Sequence, residues 1–417
     1  MSEGIAARGS LRGDQDGPPA YAALTLVGIL FINMVGFGIV IPLLPFYGLA
    51  FSAEPWQVAL IFSAFSVGSL FGEPLWGRLS DLYGRRILLI STVSGNCLCY
   101  LALAFADTAW LAFAIRLLGG FASGNGSVVQ AYIADVTPPE KRARRMSWLG
   151  AAFAIGLIVG PAIGGSFVDE SRGVPGFRIP LLLASAASAC SLVALLLFVK
   201  EPRTRIVVAR PKLKIGSALA QVVKHPVIGR LMLLTLLVSF AFTGVEVMFG
   251  LWAHARFGWG AREIGQCFAI AGAISAFTQI FVTGRLSERY GEAHVLAGGM
   301  AMTVVGCFLQ PFSNGLMMTT ALISLTAAGQ SIAFPNVVTL ISRTCDPSRQ
   351  GQVLGFNNAT GAFGRTTGPF TASLGFGHIS PNLPYFAAAG LVAPAILLAL
   401  RAVRHERRHN ISKAPPE

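Results

Sequence analysis

Charge is what this sequence has least of. Only 12% of its 417 residues are Asp, Glu, Lys or Arg, roughly half the share of an ordinary soluble protein, whereas 53% are hydrophobic. No soluble core buries that much apolar surface. The motifs of several function classes are missing too. Without a GxxxxGK[ST] loop a nucleotide-driven pump is disfavoured, and without HExxH, GxSxG or paired intramembrane acids the common hydrolytic centres are absent. No enzyme is expected. Six cysteines, at 97, 99, 190, 267, 307 and 345, show no CxxC spacing and no histidine cluster beside them. They read as packing residues, with neither disulfide nor bound metal. The 32 basic residues outnumber 19 acidic ones, which by itself raises nucleic acid as a partner. The basic residues sit between apolar runs, however, so they read as topology signals and no nucleic acid is expected.

Long apolar runs are what the sequence has instead. The pattern predicts twelve transmembrane helices, over 22–46, 56–77, 87–105, 109–131, 146–168, 179–199, 229–252, 263–284, 294–312, 317–341, 351–375 and 384–401. Each is long enough for a hydrocarbon core of about 30 Å. Residues 1–21 read as a disordered cytoplasmic tail, 22–199 as an N-terminal six-helix bundle and 200–228 as a basic cytoplasmic linker. A C-terminal bundle over 229–401 and a basic cytoplasmic tail over 402–417 complete the chain. With both termini inside, 26 basic residues fall at the cytoplasmic side, counting Arg230 and Arg401 at the cytoplasmic ends of their spans, 4 in periplasmic loops and 2 deeper within spans, which sets the orientation by the positive-inside rule.

The two bundles are copies. "GRLSDLYGRR" begins at Gly77 and "GRLSERYGEA" at Gly284, an offset of 207; "GLIVGP" begins at Gly156 and "GRTTGP" at Gly364, an offset of 208. Two unrelated motif pairs agreeing to one residue mark a six-helix repeat, an architecture found in secondary transporters. In the first loop, Gly77, Asp81, Gly84, Arg85 and Arg86 combine a tight turn, a carboxylate suited to a helix N-terminus and cytoplasmic anchors. Gly284, Glu288 and Gly291 stand at the matching places of the second. A plain topology loop explains the arginines, but neither the acid nor the repetition.

This loop resembles the signature loop of the major facilitator superfamily. "WLGAAFAIGLIVGPAIGG" resembles the fifth-helix motif of the superfamily's drug/proton antiporters, with Gly156, Gly160, Pro161, Gly164 and Gly165 on a smooth helix face. "GFGIVIPLLP", "RLLGG" from Arg116 and "ARFGWG" from Ala255 extend the likeness over nearly the whole chain, toward bacterial tetracycline/proton antiporters in particular. The resemblance implies an all-α integral membrane fold of twelve helices in two six-helix repeats, acting as a monomer, with a tendency to antiport. It does not extend to tetracycline. Positions where those antiporters carry intramembrane acids or a histidine hold Asn33, Cys99, Ser275 and Met302 here, so the residues that would handle a metal-tetracycline complex and its protons are missing.

Ionisable groups inside a membrane are functional candidates by default. Of 19 carboxylates only Glu73 and Glu246 fall in the interior of spans, Glu263 being the first residue of its own, and the six histidines lie at helix ends or outside. If helices one, four, seven and ten line the cavity as the resemblance implies, Glu246 and Arg116 lie at similar depth and face each other as a proton-coupling pair. A permanent structural ion pair, or a Glu246 that snorkels to the interface, is the other reading. Glu73 is the second proton-coupling candidate, or a brace for the arginines of the adjacent loop. Asn33, Arg116, Gln330 and Arg365 are candidate substrate contacts. Asn33 and Gln330 also fit as bridges between helices, and Arg365 as packing for the second half.

The expectation is a secondary active transporter, proton-coupled and exporting a small hydrophobic or amphiphilic compound from a bacterial cell through the inner membrane. A proton gradient would supply the energy, with no cofactor; the partners would be the substrate, protons and the lipid bilayer. A symporter or metabolite exporter of the same fold, or a non-transporting receptor-like protein, remains open from the sequence.

Overall fold

The computed structural model describes residues 20–137, 139–201, 222, 225–345 and 349–411. The expected tail over 1–21 and the linker over 200–228 lie almost wholly outside these residues, as does the end of the tail over 402–417. The described chain is helical: α1 (Ala20–Ala50), α2 (Pro55–Tyr83), α3 (Arg85–Ala104), α4 (Ala109–Ala122), α5 (Asn125–Val136), α6 (Pro139–Ser166) and α7 (Arg178–Phe198) form the first half. The second half comprises α8 (Ile228–Phe257), α9 (Ala261–Phe277), α10 (Gly284–Tyr290), α11 (Glu292–Leu309), α12 (Leu316–Thr344), α13 (Gln350–His378) and α14 (Leu383–Ile411). These fourteen make twelve membrane spans, because α4 with α5, and α9 with α10, each form one interrupted span.

Ten spans are long and apolar enough to be recognised on those grounds alone. The fourth is broken at Ser123–Gly124, where Gly124 lies against Trp76: a β-carbon there would come within 2.6 Å of the indole. The eleventh, α13, is long but diluted by Gln, Asn, Thr, Gly and one Arg. Between α9 and α10 the backbone widens into a π-helical turn over Thr278–Thr283, in which the Thr283 hydroxyl donates to the Thr278 carbonyl at 3.1 Å. Most helices outrun their expected spans, since backbone hydrogen bonding continues into the interfacial layer. α8, for example, reaches Phe257 rather than residue 252.

Each half repeats one packing scheme: α1 against α6 and α7, α2 against α4 and α3 against α7 in the first; α8 against α13 and α14, α9 against α12 and α11 against α14 in the second. The glycine motifs make backbone-close contacts among these. A β-carbon on Gly160 would sit 2.6 Å from the Gly38 Cα, and one on Gly164 2.4 Å from the Ile39 carbonyl oxygen. Gly364 and Gly368 of α13 approach the Leu236 and Phe240 carbonyls of α8 in the same way. Without β-carbons the helices approach backbone to backbone, and dispersion supplies the attraction that the hydrophobic effect does not supply within lipid.

The halves meet toward one end, here called the distal face; the opposite end, where α7 leads into the linker, is the linker face. Near the distal face Gly165 of α6 lies against Ala261 and Gly265 of α9, and Pro45 of α1 against Gly250 of α8. The Phe46 and His254 rings stand edge to face with centroids 5.7 Å apart, and the Glu170 carboxylate accepts the Ala261 N–H. α2 also packs against α13. At the linker face, among the described residues, neither α5 nor α12 packs against the opposite half.

Candidate functional site

Both halves wall a cavity of about 110 Å³, built from Ile41 of α1, Leu157 and Pro161 of α6, Phe268 and Ser275 of α9 and Glu246 of α8 among others. Glu246 is the only ionisable residue in that lining. Its helix is fixed on several sides. Gly244 approaches the Gly368 carbonyl of α13, and the Trp252 indole donates to Asn382 at 2.8 Å. Val245 and Val247 are buried, leaving the half-buried Glu246 turned to the cavity. One carboxylate and one hydroxyl in an otherwise apolar wall suit an apolar guest carrying a single polar or charged group.

The structure corrects the expected partner of Glu246. Arg116 is 4% exposed and lies within the first half, its guanidinium 4.5 Å from the centroid of the Phe65 ring and walled by Asn96, Cys99 and Tyr100. Among the described residues it makes no ion pair, and its Nε has no hydrogen-bond partner. The cause is helix phase. Gly120, four residues on and so on the same face of α4, abuts the Phe65 backbone so closely that a β-carbon would come within 2.0 Å of its carbonyl oxygen. That contact turns Arg116 toward α2 and α3. The spacing from Arg116 to Gly120 was readable in the sequence.

Arg365 of α13 is the cation whose field acts on Glu246 and also on Glu73 of α2, neither acid lying within ion-pair distance of it. Arg365 folds back along its own helix, Nη1 lying 3.3 Å from where a Gly361 β-carbon would be, beside Thr235 and Ser239 of α8. Glu73 therefore does not brace the arginine loop. α2 runs ten residues past it to Tyr83, so Glu73 stands about 15 Å from that helix end. The loop arginines are occupied elsewhere. Two acids from opposite halves thus feel the charge of one guanidinium.

Asn33 is 4% exposed and donates to the Ile29 carbonyl, leaving its Oδ1 without a partner; the Gln330 Oε1 is likewise unpartnered. Neither lines the Glu246 cavity. Both carry a buried acceptor that a hydrogen-bond donor would satisfy.

At the signature loop Asp81 was expected to receive backbone N–H groups. Glu201 caps the start of α3, its carboxylate accepting the Arg85 and Arg86 N–H groups at 2.6 and 2.8 Å. Asp81 pairs with Arg85 at 2.6 Å, and Arg85 reaches Asp135 at 3.0 Å. Gly84, at φ 105°, makes the reversal that brings the start of α3 to the end of α7. Glu201 lies 116 residues from Arg85 and belongs to no local motif, so nothing in the local pattern points to it. In the second loop Gly291 takes φ 82°, Glu292 pairs with Arg343 at 2.8 Å, and Glu288 is exposed. Among the described residues no cluster of three His, Cys, Asp or Glu forms a metal site.

The sequence profile of the Major Facilitator Superfamily matches residues 26–283 and 257–417. The tetracycline resistance protein of class B from Escherichia coli is 30% identical over 349 residues, spanning 81% of this chain and 84% of that protein. Multidrug resistance protein 1 of Bacillus subtilis is 25% identical over 89% of this chain and 93% of its own. In fold, the chain superimposes on the inward-facing, occupied crystal structure of a bacterial homologue of the human lysosomal transporter Spinster. The TM-score is 0.77 at 17% identity, covering 94% of this chain and 98% of the other.

Proposed function

The chain belongs to the major facilitator superfamily of membrane transporters, and from that membership we propose that it is a proton-coupled antiporter exporting a small hydrophobic or amphiphilic compound. The linker face is cytoplasmic in this reading, both termini lie on that side and the membrane is the bacterial inner membrane. The proton gradient supplies the energy, no cofactor takes part and the protein works as a monomer. The observation that carries the proposal is the position of Glu246: one titratable group in an apolar cavity between two halves that are joined at the distal face and apart at the linker face. The tetracycline and multidrug resistance proteins among its relatives support export.

The arrangement supplies the steps of an exchange. With Glu73 and Glu246 ionised, one Arg365 leaves the cluster a net negative charge, and a proton or a substrate cation at Glu246 neutralises it. The two ligands then exclude each other. Because Glu73 belongs to α2 and Arg365 to α13, rocking of the halves changes their separation. Arg365 thereby divides itself differently between the two acids in the two states.

The test is Glu246→Gln in inverted membrane vesicles. Uphill uptake of substrate driven by a proton gradient is expected to stop, while downhill exchange of labelled substrate continues. Uphill uptake at the normal rate in the variant would move the coupling site to Glu73, the other membrane-embedded acid.

A further inference from the structure

A second cavity, of about 660 Å³, lies at the linker face of the second half, between α10, α11 and α12. Arg289, Tyr290 and His294 stand at its mouth, and Gly298, Met302 and Ile332 line its inner end. His294 is in the first turn of α11; Gly298 and Met302 follow one and two turns deeper, so the groove descends about 12 Å into the bilayer. Its mouth is basic and exposed. The Arg289 guanidinium lies 5.4 Å over the Tyr290 ring and, among the described residues, has no carboxylate within ion-pair distance. Of the nearby acids, Glu292 is taken by Arg343, and Glu288 points outward from α10. The His294 Nδ1 is held on the Tyr290 carbonyl at 3.1 Å.

The duplication supplies an internal control. At the offset of 207 the counterparts of Arg289, His294 and Gly298 are Leu82, Ile87 and Ser91. In the first half Leu82 and Ile87 are 62% and 58% exposed, an apolar surface for lipid chains. Trp76, bonded to the Phe121 carbonyl, stands where the second half has Thr283. The second half has thus replaced two apolar residues by basic ones at the mouth of the groove.

We propose that this groove binds one anionic phospholipid of the leaflet at the linker face, its phosphate between Arg289 and His294 and an acyl chain over Gly298 and Met302. Guanidinium and imidazole donors match a phosphate ester, and basic pockets between transmembrane helices are suited to anionic headgroups. A zwitterionic headgroup places its own cation against the same two bases and gains less.

The test is native mass spectrometry of the delipidated full-length protein, titrated with dioleoylphosphatidylglycerol, dioleoylphosphatidylcholine or inorganic phosphate. The wild type is expected to keep one phosphatidylglycerol adduct at collision energies that strip phosphatidylcholine. Arg289→Leu with His294→Ile, which restores the residues of the first half, is expected to lose it, occupancy falling about fivefold for each basic group removed. Gly298→Leu leaves the charges in place and fills the groove. It folds, because no atom lies within 4 Å of a β-carbon there, and it too is expected to lose the adduct. Equal phosphatidylglycerol retention in wild type and both variants overturns the proposal, as does equal retention of the two lipids. Protection by inorganic phosphate alone would identify a free-anion site instead and equally overturn it.

Discussion

The two halves carry the same ion pair with its sign reversed. In the first, Arg85 at the start of α3 meets Asp135 near the end of α5 at 3.0 Å; in the second, Glu292 at the start of α11 meets Arg343 near the end of α12 at 2.8 Å. The positions correspond at offsets of 207 and 208, those of the duplicated motifs. Coulomb attraction is unchanged when both signs are exchanged, so the tie survives. What surrounds it does not. A carboxylate at a helix N-terminus favours the macrodipole, whereas a guanidinium there opposes it. Glu292 is in place by itself; Arg85 and Arg86 are offset by Glu201 from the end of α7, together with Asp81. The first half has an embedded network reaching toward the linker, and the second an isolated pair.

The largest effect is expected where the halves agree. Gly160→Val and Gly368→Val each place a branched side chain against backbone, the β-carbon 2.6 Å from the Gly38 Cα in one and 2.2 Å from the Phe240 carbonyl in the other. A loss of about 3 kcal/mol or more is expected for each, because neither neighbour is a movable side chain. Thermal unfolding of the purified protein in detergent checks it, and a tolerated Gly368→Val would end the symmetry of the glycine contacts.

Reversing the ion pairs sharpens the contrast. Arg85→Asp is expected to cost about 2 kcal/mol, since it sets a fourth acid beside Asp81, Asp135 and Glu201, and adding Asp135→Arg should recover only part. Arg343→Glu, whose side chain is 61% exposed, is expected to cost under about 1 kcal/mol and to be largely recovered by adding Glu292→Arg. Double-mutant cycles on both pairs measure this; equal coupling energies would erase the distinction between embedded and isolated. Smaller again is Glu201→Gln, expected to cost about 1 kcal/mol through the weakened cap of α3, against a few tenths for Glu292→Gln at the start of α11. Equal melting shifts for the two would leave Glu201 without its assigned role.

The smallest effect concerns the distal loop after α6. Asp169 is held below the usual carboxylate range, first by the hydrogen bond from the Ser171 hydroxyl and then by Arg172. A depressed folded pKa contributes stability above the unfolded value and loses it as pH falls through the folded value. Ser171→Ala should therefore raise the Asp169 midpoint, followed by NMR of labelled aspartate, with no detectable change in melting temperature at neutral pH. An unmoved midpoint would assign the depression to Arg172 alone.

Hydropathy and repetition are local properties, and they determined much of this protein: twelve spans, two six-helix copies, the glycine faces and the scarcity of membrane acids that singles out Glu246 and Glu73. The glycines mattered because small residues in a row dictate close helix contact wherever they occur. The rotation of each helix about its axis, and its neighbours in space, are not local, and there only the tertiary structure decided. Residue counting from the expected spans puts Arg116 and Glu246 at similar depths, yet the Gly120 contact turns Arg116 into its own half, and the cation acting on Glu246 is Arg365 of α13. Glu73, adjacent in sequence to the arginine loop, feels that same charge because α2 stays helical to Tyr83. The cap of α3 comes from Glu201, brought there across 116 residues by the packing of α3 on α7. Depth follows from counting residues along one helix. Partnership depends on how two helices are turned toward each other, and that is fixed by every contact around them.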